Sequence, residues 1–334
     1  MTQIAVAKTS LSIRRKTMKA VVIAAPMRFE VVDVPIPEPG PNEVRVRMEG
    51  CGICASNLPV WEGREWFSYP LEPGAPGHEG WGVIDAVGCE VTGLAVGQRV
   101  ACMSFKAYAE YDLADNGSVA ELPGSLAGRA FPGEPLACAI NVFGRSDIRS
   151  GHRVAIVGIG FMGGLLTSLA AAAGAEVTAI SRRLYSLTLA ARCGAAHTIA
   201  MDDHWRIIKE VDRITGGARC DRVIEAVGLQ WPLDLAGELT ATRGRLIIAG
   251  YHQDGLRQVN MQMWNWRGLD VVNAHERDPS VYTAAMRQAI NAVERGRLLP
   301  QEMLTHNFDL DDLGYAFEML KDRPEGFLKG YIRF

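Results

Sequence analysis

Four side chains in the first half of the chain have donor types that bind transition metals: Cys54, His78, Glu79 and Glu134. Thiolate, imidazole and carboxylate are ligands that zinc accepts, and a catalytic zinc takes three protein ligands and keeps one position open. Cys54, His78 and Glu134 each lie near Gly or Pro, which predicts that each stands on a turn. Because single Cys and His residues are more often core residues than ligands, their spacing alone does not establish a metal site.

A glycine-rich turn near the middle of the chain points to a different chemistry. The apolar segment Arg153–Val157 runs directly into Gly-x-Gly-x-x-Gly, and an Ala/Leu-rich stretch that ends at Gly174 follows. In this context the glycines allow a tight turn, a close approach of the backbone to a pyrophosphate, and a helix whose N-terminus favours anions. The sequence therefore predicts a dinucleotide site, although a turn that binds nothing is the alternative. Its turn residues are Gly158, Gly160, Phe161, Met162 and Gly163.

The end of the next predicted strand indicates which dinucleotide fits. An NAD site usually has Asp or Glu there to bind the ribose hydroxyls, but this chain has Ser181, Arg182 and Arg183. Two guanidinium groups and a hydroxyl can bind the 2′-phosphate of NADP by charge-assisted hydrogen bonds. The sequence therefore favours NADP over NAD. The alternative is that both arginines are simply solvated loop residues.

Length, charge and cysteine usage limit the class of protein. A chain of 334 residues exceeds the usual size of one hydrophobic core, so at least two domains are expected. With a net charge of −3 and dispersed basic residues, we expect small-molecule partners and neither nucleic acid nor membrane. The seven cysteines follow no disulfide spacing, which suits a reducing cytoplasm. Residues 1–17 lack the features of a secretory signal and are interpreted as an extension.

The order of predicted elements defines an α/β protein. Short alternating segments such as Met18–Ile23, Glu43–Met48 and Gly82–Val87 are separated by Pro- and Gly-rich turns, which predicts a small irregular barrel. From about Phe143, five apolar strands alternate with Ala-rich helical patterns, as in a doubly wound parallel sheet. The predicted strands of this sheet are 154–157, 177–180, 222–226, 244–249 and 269–272. Helices at 280–294 and 311–320 precede a last strand, 327–334, which is expected to rejoin the first part.

Six motifs follow one another in a fixed order along the chain: Gly52-Ile-Cys-Ala-Ser-Asn57, Gly77-His-Glu-Gly80, Val96-Gly-Gln-Arg-Val100, Glu134-Pro-Leu136, the glycine turn and Asp221-Arg-Val-Ile-Glu-Ala-Val-Gly228. Together they resemble the zinc-dependent medium-chain dehydrogenases/reductases of the alcohol dehydrogenase superfamily, most closely their polyol (sorbitol) and threonine dehydrogenase branch. The resemblance covers essentially residues 18–334. It implies a GroES-like catalytic domain (18–141 and 275–334) and a Rossmann cofactor-binding domain (142–274).

Roles for individual residues follow from this resemblance. Cys54 and His78 match the family's catalytic zinc ligands, Glu134 matches the third-ligand position, and Glu79 matches a carboxylate that binds the metal or lies just behind it. Ala226 and Val227, at the end of the predicted strand 222–226 and just after it, are expected to contact the cofactor. Cys51 forms a Cys-x-x-Cys pair with Cys54 but has no role in the family.

Three departures modify these expectations. The family's structural zinc needs four closely spaced cysteines after the Val-Gly-x-Arg-Val motif, but only Cys102 occurs there, so one zinc per chain is expected. Asn57 replaces the Asp that usually supports the zinc-bound His, which keeps a hydrogen bond but loses the charge. Pro59 replaces a His that often relays the alcohol proton, so Ser56 becomes the candidate for the first proton transfer.

The expected activity is hydride transfer between NADP(H) and a secondary alcohol, polyol or cyclitol-type substrate, in a homodimer or homotetramer. Zinc would lower the pKa of the substrate hydroxyl or polarise the corresponding ketone. Substrate would occupy the cleft between the domains, where Trp61 and Trp81 are either lining residues or core aromatics. Two alternatives stay open: a zinc-free NADPH-dependent quinone or enone reductase on the same scaffold, and a non-catalytic NADP sensor.

Overall fold

A computed structural model of the protein describes residues 16–334, so the expectation for residues 1–17 lies almost entirely outside the described residues. Regular structure begins with a hairpin of two antiparallel strands, β1 (Thr17–Ala25) and β2 (Arg28–Pro35). The predicted first strand at Met18–Ile23 therefore lies within β1.

The β-rich part continues with a larger sheet that carries one face of the candidate site. In its first strand, Val44, Val46 and Met48 are buried at alternate positions, because successive side chains of a strand point to opposite faces. The elements of this part are β3 (Glu43–Gly52), α1 (Leu58–Glu62), β4 (Gly80–Val87), β5 (Arg99–Cys102), β6 (Tyr111–Asp115), β7 (Val119–Glu121) and α2 (Gly133–Ser146).

Strands and helices alternate from residue 153. The elements are β8 (Arg153–Val157), α3 (Phe161–Ala172), β9 (Glu176–Ser181), α4 (Leu184–Arg192), β10 (His197–Ala200), α5 (His204–Thr215), β11 (Cys220–Glu225), α6 (Gln230–Leu239), β12 (Thr240–Ile248), α7 (Met261–Arg267) and β13 (Asp270–Asn273). The six strands are parallel and lie in the order β10-β9-β8-β11-β12-β13. This is the predicted doubly wound sheet, whose winding reverses between β8 and β11.

Burial explains which strands were predicted. Residues 154–157 of β8 are fully buried, as expected for a parallel strand with both faces covered. The sequence analysis missed β10, in which only Ile199 is buried and two of the four residues are exposed. An edge strand this short lacks the continuous apolar run from which the other strands of this sheet were predicted.

The chain then returns to the β-rich part. Its last elements are α8 (Pro279–Glu294), β14 (Leu304–Phe308), α9 (Leu313–Asp322) and β15 (Lys329–Arg333). The sheet order is β14-β15-β3-β4-β5-β7, with β6 also paired to β3. Because β15 pairs antiparallel with β3, the last strand rejoins the first part as predicted. None of the helices within residues 16–334 combines the length and apolar character that a membrane span requires. The predicted domain limits fall within α2 and just before α8, and they stay a prediction.

Candidate active site

Strand pairing brings the first three candidate ligands together. The end of β3 pairs with the beginning of β4, with Cys51 opposite Gly80 and the Gly52 N–H 3.1 Å from the carbonyl oxygen of Glu79. Cys54 follows β3, and His78 and Glu79 precede β4, so their side chains share one sheet end. Their ligand atoms all lie within 4.8 Å of one another. Ser56, in the short 3-10 helix Ala55–Asn57, donates a hydrogen bond to Cys54 Sγ at 3.2 Å.

A backbone carbonyl orients His78. Its Nδ1 lies 2.9 Å from the Pro76 oxygen, and because a carbonyl only accepts, Nδ1 carries a proton and Nε2 is the nitrogen that could bind a metal. The expected support of His78 by Asn57 is indirect. Asn57 Nδ2 donates to the same Pro76 oxygen at 3.2 Å and to the Tyr108 hydroxyl at 3.1 Å. The amide therefore holds the carbonyl that holds the imidazole.

Glu79 has a partner that the sequence analysis missed. Its carboxylate is fully buried, and Lys329 Nζ on β15 lies 2.6 Å from both oxygens, with hydrogen-bond geometry only to Oε1. Oε2 is therefore a buried oxygen without a hydrogen bond. Burial lowers the pKa of Lys329, but Glu79 and Cys54 outweigh it and raise the pKa overall, so the lysine stays charged. The available signal was a lysine directly after Phe327 and Leu328 in the predicted terminal strand.

Glu134 borders this cluster from another element. It lies in the first turn of α2, so the expectation that it stands on an irregular turn is wrong; Pro132 and Gly133 mark the start of a helix instead. One turn later, the Cys138 thiol donates to Glu134 Oε1 at 3.1 Å. Burial raises the pKa of Glu134, as does the nearby Glu79 carboxylate, whereas His78 lowers it. Glu134 is not one of the three residues within 4.8 Å, and its role as a ligand stays a prediction.

The charge and shape of the cluster suit a cation. Burial lowers the pKa of His78, but Cys54, Glu134 and Glu79 outweigh burial and raise it to about 10, which shows how strongly the cluster attracts positive charge. A Cβ on Gly52 would come within 1.8 Å of Glu79 Oε2, so the space beside the unpaired oxygen exists only because residue 52 is glycine. A thiol, an imidazole oriented through its Nδ1 and an unpaired carboxylate oxygen together fit zinc.

The glycine turn has the geometry of a dinucleotide site. Gly158 has φ +100°, in the region that favours glycine, and a Cβ there would meet Val227 Cγ2 at 2.4 Å. A Cβ on Gly163 would lie 2.1 Å from the Gly158 oxygen, whereas one on Gly160 would meet nothing within 4 Å. Gly160 thus faces open space at the N-terminus of α3, where an anion can approach the backbone. Phe161 and Met162 form the first turn of that helix.

Two arginines follow β9, as the sequence analysis identified, and Arg323 at the end of α9 lies close enough to interact with the charges of both. Ser181 is buried, Arg182 is exposed, and Arg183 donates to the Phe327 oxygen. Burial lowers the pKa of Arg183; the Glu325 charge opposes this, and the Arg182 charge adds to it. Burial, Arg183 and Arg182 lower the pKa of Arg323. None of the three has a carboxylate within ion-pair distance among residues 16–334. Three neighbouring cations, of which Glu325 offsets Arg183 only in part, favour a bound anion.

Other candidate residues have structural roles. Trp61 and Trp81 are each only 2% exposed and belong to two hydrophobic cores, so they are core aromatics and not cleft residues. Cys51 is buried, and its thiol donates to the Gly52 oxygen, 3.4 Å away. Cys102 is buried within β5 and is not part of the three-residue cluster.

Comparisons with known proteins agree with this geometry. Residues 40–133 match the alcohol dehydrogenase GroES-like domain, and residues 161–293 match the zinc-binding dehydrogenase domain. An alcohol dehydrogenase from Rhizobium meliloti is 30% identical over 70% of this chain and 77% of its own length. An L-threonine 3-dehydrogenase from Bacillus velezensis is 25% identical (86% and 91% covered), and a sorbitol dehydrogenase from Ovis aries is 26% identical (90% and 93%).

A solved structure extends the similarity to the whole fold. A protein from Sinorhizobium meliloti, described as a zinc-binding dehydrogenase bound to NADP, superposes with a TM-score of 0.82 at 25% identity, covering 96% of this chain and all of that one. The predicted fold class, a GroES-like domain joined to a Rossmann domain, is therefore confirmed, as is an oxidoreductase related to alcohol and polyol dehydrogenases. The chain belongs to the zinc-type medium-chain dehydrogenase/reductase family of alcohol dehydrogenases.

Proposed function

We propose that this protein is a zinc-dependent oxidoreductase that transfers hydride between NADP(H) and a secondary alcohol, polyol or cyclitol-type substrate. The cluster of Cys54, His78 and Glu79, within 4.8 Å of one another, is the observation that carries the proposal. Cys54, His78 and either Glu79 or Glu134 would hold the ion. When bound, zinc supplies Lewis-acid polarisation of the substrate's alcohol or carbonyl oxygen.

The protein's own residues prepare this site. Pro76 fixes one proton of His78 on Nδ1, which leaves Nε2 as the nitrogen that would bind the metal once it has lost its own proton. Lys329 neutralises one of the buried carboxylates and keeps Glu79 inside the cluster. Ser56 Oγ, 3.2 Å from Cys54 Sγ, is the hydroxyl beside the ligand set and the candidate for accepting the substrate's proton. Pro59, buried in α1, offers no group that could continue a relay.

Charge at the end of β9 supports the preference for NADP. Arg182, Arg183 and Arg323 would surround the 2′-phosphate, and Ser181 would add a hydroxyl. The relative from Sinorhizobium meliloti that is described as bound to NADP supports the same choice. Gly158, Gly160 and Gly163, with Phe161 and Met162, would hold the pyrophosphate at the start of α3, and Ala226 and Val227 would contact the cofactor from the loop after β11.

Metal analysis of the purified protein tests the zinc assignment. We expect about one zinc per chain in the wild type and loss of that zinc in a Cys54→Ser/His78→Ala double variant. A Cys51→Ala variant is the matched control, since it removes a neighbouring thiol outside the cluster. Zinc retained in the double variant would overturn the assignment of Cys54 and His78 as ligands. A wild type without zinc that still reduces quinones or enones with NADPH would replace this proposal by the zinc-free reductase. Cofactor binding without turnover on any alcohol, ketone or enone would indicate the sensor.

We further propose that the protein forms homodimers or homotetramers in a reducing cytoplasm. β13 is the edge strand of the parallel sheet and leaves one side of its backbone unpaired among the described strands. Near it in the chain, Trp266 is 89% exposed and Met261 is 61% exposed. Large apolar side chains exposed in this way favour a surface that a second subunit covers. Sedimentation of the wild type against a Trp266→Glu variant tests this, and a wild type that sediments as a monomer would refute it.

A further inference from the structure

A buried carboxylate at the end of β11 lies beside the cofactor crevice. Glu225 is fully buried, and its Oε1 accepts hydrogen bonds from the backbone N–H groups of Val227 at 2.7 Å and Gly228 at 2.8 Å. Its Oε2 lies 2.9 Å from His252 Nε2, in the segment after β12. The loop that follows β11 is therefore folded around the last side chain of its own strand.

A second residue of the same segment completes the network. Arg257 Nε lies 3.0 Å from His252 Nδ1, and because a guanidinium only donates, Nδ1 accepts and the proton of the ring is on Nε2. His252 therefore donates to Glu225. Arg257 Nη2 also donates to the Gly228 oxygen at 3.0 Å. Gly228 is thus held at its N–H through Glu225 and at its carbonyl by Arg257.

The position of this loop sets the shape of the crevice. β8 and β11 flank the point where the sheet reverses its winding, which is where such sheets bind ligands. The Ala226 N–H donates to the Val157 oxygen at 2.9 Å, and Val227 occupies the space that a Cβ on Gly158 would need. The segment after β12 packs equally closely: a Cβ on Gly250 would lie 2.3 Å from the Gly228 nitrogen and 2.5 Å from Glu225 Oε2.

We propose that Glu225, His252 and Arg257 form a positioning clamp that holds Ala226–Gly228 in the conformation that binds the nicotinamide cofactor, before the cofactor arrives. The clamp rests on the proposed cofactor site. It acts on loop conformation and touches no feature that distinguishes NADP from NAD, so its loss weakens both equally. If the loop is in the competent form only about a tenth of the time without the clamp, both dissociation constants rise about tenfold.

The test compares three variants of the full-length protein by hydrogen exchange and by titration with NADPH and NADH. His252→Leu removes both hydrogen bonds of the ring, whereas His252→Gln keeps one donor and one acceptor and should restore the wild-type values. His197→Leu is the matched control, because His197 Nε2 also lies 2.9 Å from a carboxylate, that of Glu176, on the exposed surface. For His252→Leu without cofactor, we expect faster amide exchange at Val227 and Gly228. With cofactor, we expect about tenfold weaker binding of both dinucleotides and kcat within about twofold at saturation.

Each failure has a separate meaning. Unchanged exchange and unchanged dissociation constants in His252→Leu overturn the clamp, even if the melting temperature falls, because the network is then only structural. Should His252→Leu fail to fold, Gly250→Ala disturbs the same loop from the other side and must weaken both cofactors for the clamp to stand. A wild type that binds neither dinucleotide overturns the proposed function and the clamp with it, whereas normal wild-type binding with an unaffected variant overturns the clamp alone.

Discussion

Replacing Gly52 by alanine is expected to damage the metal site while leaving the fold intact. An ideal Cβ at this position lies 1.8 Å from Glu79 Oε2 and 3.0 Å from Glu79 Cδ. Real Cβ atoms essentially never approach another atom more closely than 3.0 Å, so 3.0 minus 1.8 leaves a deficit of about 1.2 Å. Gly52 does not have a positive φ, so the predicted damage comes from this collision and not from backbone strain.

The carboxylate must move, because the backbone has little freedom to do so. The Gly52 N–H donates to the Glu79 carbonyl at 3.1 Å, so separating the two chains would break the end of the β3–β4 pairing. The Glu79 side chain is also held by Lys329 at 2.6 Å, on the neighbouring β15. Moving the carboxylate by about 1.2 Å therefore removes Oε2 from the ligand cluster or breaks the lysine contact. Disturbing the support of metal ligands typically costs about 10–100-fold in metal affinity.

Zinc affinity measured by competition with a chromogenic chelator should fall about 10–100-fold in Gly52→Ala. NADPH binding and the circular dichroism spectrum should not change. Gly124→Ala is the matched control, since a Cβ there meets nothing within 4 Å. If Gly52→Ala does not fold, the Gly52→Ala/Glu79→Ala/Lys329→Met triple variant should fold, because both the colliding carboxylate and the lysine that would lose its partner are gone. Wild-type zinc affinity in a folded Gly52→Ala variant would refute the reasoning.

Three further outcomes are expected. Arg182→Ala should weaken NADP binding roughly tenfold or more and NAD binding little, since a charge-assisted hydrogen bond contributes about 1.5–3 kcal/mol; equal losses in titrations of both cofactors would contradict this. Ser56→Ala should lower turnover by about 10²–10⁴-fold with zinc content and NADP affinity unchanged, and full turnover with hydride transfer rate-limiting would contradict the proton role. Lys329→Met should lower the free energy of unfolding, measured by urea titration, by about 3–5 kcal/mol, because Glu79 would be left buried without its partner. Lys19→Met, at an exposed lysine, is the control.

The sequence predicted the fold where the physical signal is local. β8, fully buried at residues 154–157, and the glycine turn that follows it combine a continuous apolar run with a positive φ at Gly158 that only glycine adopts easily. β10 carried no such signal, because four residues with one buried side chain cannot be distinguished from a loop. The same limit explains why the sequence left the location of Trp61 and Trp81 open. An indole side chain occurs both in cores and in clefts, and only its neighbours in the fold distinguish the two.

The sequence predicted the candidate site residues that belong to motifs, but not the groups that support them. Cys54, His78 and Glu79 lie near one another because their motifs flank two paired strands. Their supporting groups come from distant parts of the chain, where no motif marks them. The partner of Glu79 is 250 residues away at Lys329, and the His78 ring is held by a backbone carbonyl, which has no signature in the sequence. The start of α2 was also missed, because Pro132 and Gly133 read equally well as a turn.

The segment from Arg323 to Lys329 lies near both the arginines that follow β9 and the cluster of Cys54, His78 and Glu79. Arg323 lies close enough to Arg182 and Arg183 for their charges to lower its pKa, and the Phe327 carbonyl accepts a hydrogen bond from Arg183. Two residues later, Lys329 binds Glu79 in the anionic cluster. One short stretch of chain therefore touches both the cationic end, suited to a phosphate, and the anionic end, suited to a metal. Because both contacts depend on where β15 pairs with β3, a shift in that pairing would disturb cofactor and metal binding together.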